Sequence, residues 1–351
     1  MALFIGVTKA SVSKWENGQS MPDILLLPRL AAYFDVSIDN LMGYIPQLSK
    51  EQIQMVYKNF TEEFSKNPFE EVFAKSEDYV KKYYSCYKFL VQMCVLWINH
   101  YMLAEGTARQ QEILEKTEAL CNHIITNCNN AIIFSDAIVM RANISLLLGK
   151  PEVVIDDLED LMNPCRLVNQ SDGMLIQAYL MKGDMDKANK FTQISMYNHI
   201  GIIINESIQL LGIYAQNREK CFETIKRVEK LIDAYSLDGL LQQILVAFYL
   251  QAAVVLCSYG EYREAIESLE KYVTLMLDML ENTPMLHGDN YFDKLDECFE
   301  ELDIGSQMVR DKKLVIDSGI AQLDNPVFTD LKELPEYADM RKKLEGLRER
   351  I

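Results

Sequence analysis

Glycine (15) and proline (9) are scarce in this chain of 351 residues. A sandwich or barrel of many short strands needs a turn roughly every 8–12 residues, so the scarcity argues against one. Long apolar runs are missing as well. The nearest, around Phe89–Leu103, is interrupted by Gln92, Asn99 and His100 and falls short of the roughly 18 residues of a membrane span. The first residues carry neither the basic nor the apolar region of a secretory signal, so the expected compartment is the cytoplasm and no membrane partner is expected. Positive charge is in short supply: 35 Lys and Arg stand against 52 Asp and Glu, a net charge of −17. Such a chain has no overall field that attracts nucleic acid, and any contact of that kind must come from a small local surface.

Catalytic patterns are absent too. The four histidines, His100, His123, His199 and His287, lie far apart, and no glycine-rich phosphate loop, G-x-S-x-G or H-E-x-x-H occurs. Neither enzymatic activity nor a cofactor is expected. The eight cysteines, Cys86, Cys94, Cys121, Cys128, Cys165, Cys221, Cys257 and Cys298, form no C-x-x-C pair. Most sit in apolar helical patterns and read as small buried hydrophobes. Cys121, His123 and Cys128 are close in sequence, but no second ligand pair follows, so no metal site is expected.

What is present is helical periodicity. Hydrophobic residues make up 49% and charged residues 25%, which is ordinary globular usage. Apolar residues at 53, 56, 57, 60 and 64 give Gln52–Phe64 the stripe of an amphipathic helix. Ser49, with Gln52 three residues on, adds a capping-box pattern. Ile266, Leu269, Val273, Leu277 and Leu280 mark a second such helix over Glu261–Leu280. The β-branched run at Gly201–Asn205 lies inside a longer helical pattern. The fold class is all-α. Composition changes at Gly43–Gln47, where Pro46 biases its predecessor away from helix. The chain therefore divides into a short domain over 1–45, linker helices over 46–82, a helical repeat domain over 83–322 and a C-terminal capping helix within 323–351.

Residues 6–20 read Gly-Val-Thr-Lys-Ala-Ser-Val-Ser-Lys-Trp-Glu-Asn-Gly-Gln-Ser, and residues 29–41 read Arg-Leu-Ala-Ala-Tyr-Phe-Asp-Val-Ser-Ile-Asp-Asn-Leu. Thr8 can cap a helix over Lys9–Asn17, with Val12 and Trp15 beneath and polar residues opposite. Leu25–Phe34 makes another amphipathic helix, and Ser37 caps a short one through Leu41. This stretch resembles the Cro/λ-repressor (XRE) type of helix-turn-helix. The resemblance implies that Lys9–Glu16 is the recognition helix, lying in the major groove of operator DNA. Lys9, Ala10, Ser11, Ser13 and Lys14 would then be the DNA-contacting residues. Lysine can pair with guanine, serine with any base and alanine with a thymine methyl. The family's unit begins with two full helices, whereas Met1–Gly6 matches only the last turn of the second. The expectation is that this form binds operator DNA weakly or not at all and that a longer form would bind it.

The remainder repeats. Gly149, Gly183 and Gly260 each follow a helix and precede another, Gly149 to Gly183 is 34 residues, and a further 34 reaches Asn217. Asn217 is expected to serve as a left-handed turn residue like the glycines. A period near 34 with helix–turn–helix units resembles the tetratricopeptide (TPR) array, here over about residues 83–282. That resemblance implies a concave groove for a peptide or protein ligand, contacted by Asn143 and Gln177, each six residues before a turn glycine, and by Asn205; Asn99 and Gln209 are looser candidates. A helix-turn-helix followed by such an array resembles peptide-responsive, homodimeric transcriptional regulators. The alternative is an interaction scaffold carrying a non-functional helix-turn-helix remnant.

Overall fold

The structure, a computed structural model, describes residues 1–44, 47–159, 171–281, 286–302 and 309–351. Ile45 and Pro46 at the expected boundary, and Cys165, lie outside the described residues. Every regular element among those described is helical, and none is long and apolar enough to cross a membrane. Four short helices come first: α1 (Ala2–Ile5), α2 (Lys9–Glu16), α3 (Leu27–Phe34) and α4 (Ile38–Met42). A solenoid-like succession follows. It comprises α5 (Lys50–Lys66), α6 (Phe69–Lys82), α7 (Tyr87–His100), α8 (Thr107–Asn127), α9 (Ala131–Leu147) and α10 (Pro151–Leu158). It continues through α11 (Ser171–Lys182), α12 (Met185–Ile213), α13 (Arg218–Tyr235), α14 (Gln242–Ser258) and α15 (Tyr262–Glu281). α16 (Leu295–Glu301), α17 (Lys312–Gln322) and α18 (Pro335–Arg350) complete the chain.

The local signals act as their chemistry requires. At α5, Ser49 Oγ accepts from the Gln52 N–H at 3.3 Å and Gln52 Oε1 accepts from the Ser49 N–H at 2.8 Å. This reciprocal box satisfies two donors that the first helical turn leaves unpaired. Gly149, Gly183 and Gly260 sit at φ of 69°, 78° and 76°, a left-handed geometry that a Cβ would strain. Asn217 differs from expectation. Its φ is −120° and its Oδ1 accepts from the Lys220 N–H at 3.1 Å, so it starts α13 as an N-cap rather than turning the chain. The run at Gly201–Asn205 is helical, inside an α12 that continues unbroken for 29 residues.

Two cores form. The first gathers Tyr57, Phe60, Phe64, Phe73, Phe89, Trp97 and Ile113. Residues 46–82, read as linker helices, therefore contribute α5 and α6 to a core shared with α7–α9. Within it Trp97 Nε1–H donates to Ser76 Oγ at 2.8 Å, and Ser76 donates to the Phe73 carbonyl at 2.6 Å. Ser76→Ala strips the buried indole of its acceptor and is expected to cost about 1–3 kcal/mol, checked by chemical denaturation against Ser135→Ala on an exposed face. The second core is built from α12–α18 around Phe248, Tyr272, Phe292 and Phe328. α18 covers α15 and α17 through buried Tyr337, Met340, Leu344 and Leu347, and Arg350 pairs with Glu281 at 2.9 Å. A terminal helix of this kind shields the apolar end of a solenoid.

The segment around α16 links distant parts of the array. Lys190 of α12 pairs with Glu301 at 2.8 Å, and Gln193 Nε2 donates to Asp293 at 2.7 Å. From α5, Lys50 Nζ donates to the Glu300 carbonyl and the Tyr57 hydroxyl donates to the Val309 carbonyl at 3.0 Å. The first helix of the array thus touches the segment that precedes its last helices.

Candidate nucleic-acid interface

α2 is held by its neighbours in sequence and by α3. Gly6 ends α1, and Thr8 Oγ1 accepts from the Ser11 N–H at 3.1 Å, starting α2. Val12 points inward and is buried. Trp15, expected in the core beside it, is only half-buried. α3 supports α1 from behind: Arg29 donates to the Ile5 carbonyl at 3.3 Å, and the rings of Phe4 and Tyr33 lie 5.2 Å apart. A 3-10 turn over Ile24–Leu26 precedes α3, so the helix starts slightly later than Leu25. Ser37 Oγ caps α4 by accepting from the Asn40 N–H at 3.0 Å, as its position in the sequence implies.

The outer face of α2 carries the residues singled out from sequence. Lys9, Ala10, Ser13 and Lys14 are exposed and Ser11 is half-buried. Neither Lys9 nor Lys14 has an ion-pair partner among the described residues, whereas Lys190 and Lys294 are both paired. The two solvated ammonium groups lie about 140° apart around the helix and flank Ala10 and Ser13 on its outer face. The serines are less free. Ser11 Oγ lies 2.9 Å from Thr8 Oγ1, and Ser13 Oγ lies 3.3 Å from Asn17 Nδ2, which also donates to the Ser13 carbonyl at 2.8 Å. These contacts fix both ends of the helix, so the lysines and Ala10 offer the unencumbered groups. Thr8→Ala removes the cap and is expected to destabilise α2 by about 0.5–2 kcal/mol. Faster amide hydrogen exchange at Ser11 and Val12 is the readout.

The other candidates are spread over several helices of the array. Asn143 on α9, Gln177 on α11 and Asn205 and Gln209 on α12 are all exposed. Asn99 is half-buried, and its amide donates to the Val95 carbonyl at 2.8 Å. Cys121 Sγ lies 3.6 Å from Cys94 Sγ inside the first core, and His123 stacks on Tyr84 at 4.0 Å. Residues 1–41 match the family model described as Helix-turn-helix. No curated protein matches the chain, and no solved structure does. The N-terminal segment thus matches a helix-turn-helix, and within it α2 is capped by Thr8 and has an exposed outer face.

Proposed function

We propose that this protein is a sequence-specific DNA-binding transcriptional regulator in which the helical array binds a peptide or protein and mediates dimerisation. The observation that carries this reading is the face of α2, where Lys9 and Lys14 are exposed and unpaired around Ala10 in a segment matching a helix-turn-helix. A helix presenting free cations can enter the major groove of DNA and meet both base edges and phosphates. The reading assigns base contacts to Lys9, Ala10, Ser11 and Ser13, and a base or phosphate contact to Lys14. The net charge of residues 1–44 is slightly negative. A second copy that doubles the contacted surface would offset that weak electrostatic attraction, which favours a dimer on paired half-sites. The array would supply the ligand response: a ligand that prefers one arrangement of two copies shifts the DNA affinity of both. Asn143, Gln177 and Asn205 are the proposed ligand contacts on exposed faces of α9, α11 and α12.

One observation favours the scaffold reading. Leu3, Met21, Ile24 and Leu25 are at least three-quarters exposed, and apolar side chains on a surface suit protein contact as well as DNA approach. Mapping the genomic sites bound by the protein, then measuring gel shifts on the recovered sequences at fixed salt, separates the two. A shared sequence motif bound at least about a thousandfold over random DNA supports the regulator. Absence of binding, or binding with no sequence preference, supports the scaffold.

A further inference from the structure

Where the two ends of the array meet, a cavity of about 410 Å³ opens between α7, α14, α15, α17 and the Val309–Arg310 segment. Its walls are mainly apolar, with Val246, Leu250, Met276, Met279 and Val315 prominent among them, and Asn99, Ser318 and Gln322 add polar side chains. Arg310 lines the same space. Its Nε is shielded from solvent without a hydrogen-bond partner, and it has no ion-pair partner among the described residues. Nearby, His100 Nε2 is likewise buried and unpartnered, and Arg310 is close enough for its charge to act on both His100 and Tyr57.

A half-buried guanidinium with no counter-ion among the described residues carries a desolvation cost that a bound anion would offset. The size and lining suit a small molecule: a hydrocarbon surface with polar groups and one guanidinium set into it. A single guanidinium at such a wall matches a monovalent planar anion, which it can hold through two parallel hydrogen bonds. A multiply charged phosphate would meet only one cation on a molecule of net charge −17.

We propose that this cavity binds an apolar carboxylate, the carboxylate paired with Arg310 and the hydrocarbon body lying against Leu250, Met276 and Met279. Two sources share this chemistry, a free aliphatic acid and the C-terminal residue of a hydrophobic peptide. The cavity does not include Asn143, Gln177 or Asn205, and its occupancy is measured without DNA, so it stands or falls separately from the proposed regulatory function.

Calorimetric titration of the full chain tests it with octanoate, with acetyl-Leu-Leu as the free acid, and with the matching amides. At least one acid is expected to bind, with its neutral amide roughly tenfold or more weaker. Arg310→Gln is expected to lose the same factor and Arg310→Lys less of it. Ala247→Phe, which fills the space, is expected to abolish binding. The better acid identifies the source. Equal binding of acid and amide overturns the proposal, as does failure of both acids to bind at millimolar concentration. Undiminished affinity in a folded Arg310→Gln protein overturns it too. If that variant does not fold, the acid–amide comparison on the unaltered protein and the Arg310→Lys variant decide.

Discussion

Replacing Lys9 and Lys14 together by alanine is expected to weaken operator binding by about 2–6 kcal/mol, since each side chain of this kind contributes ~1–3 kcal/mol at a base edge. Both lysines are exposed and unpaired, so the thermal transition should not move, because surface changes away from structural contacts are nearly neutral. The two single variants separate the roles. A side chain on a phosphate weakens binding evenly across sequences and lowers the salt slope by about 1, whereas one on a base relaxes the preference at one position. Gel shifts at several salt concentrations on matched and mismatched sites give both quantities. Affinity unchanged in the double variant would remove α2 from the interface.

Acidification should act on the first core through its buried imidazole. His100 is 1% exposed, and burial pushes its pKa down from 6.5 to about 4, with the Arg310 charge acting in the same direction and the hydrogen bond at Leu96 opposing it. Its Nδ1 lies 2.8 Å from the Leu96 carbonyl and therefore carries the proton, leaving Nε2 without a partner. Below pH 6.5 the unfolded chain takes up a proton that the folded chain refuses until about pH 4, so stability is full above the higher value and is lost between the two. The loss over that window is about 3 kcal/mol. His100→Phe should preserve the ring stacking on Phe64, whose centroid lies 4.7 Å away, while flattening this part of the pH profile. Denaturant titrations at pH 7, 5.5 and 4.5 measure it; a variant with the slope of the unaltered protein would assign the acid sensitivity to other groups.

Local signals were legible in the sequence where one residue type performs one task. Ser49 and Gln52 announced the start of α5, Thr8 that of α2, and three glycines the turns after α9, α11 and α14. Asn217 misled because asparagine serves both as a left-handed turn and as an N-cap, and only the backbone φ distinguishes them. The stripe at Gln52–Phe64 showed that α5 has an apolar face but not what covers it, so its membership of the first core was invisible. Trp15 was placed by pattern on the inner side of α2, yet the shallow packing beneath so small a group of helices leaves it half in solvent. The Arg310 cavity is assembled from five separate stretches, and contacts of that span leave no periodic trace in one sequence.

The hydrogen bonds from Lys50 and Tyr57 to the Glu300 and Val309 carbonyls join positions some 250 residues apart. An open stack of repeats melts from its ends, each unit leaning only on its neighbours, so its stability accumulates along a line. Here the line is tied back on itself. Loosening α5 also withdraws support from the segment beside α12, so fraying at the first helix of the stack is felt near its last ones. The tie also carries a kinetic penalty, since segments so distant in sequence must find each other before their contacts contribute.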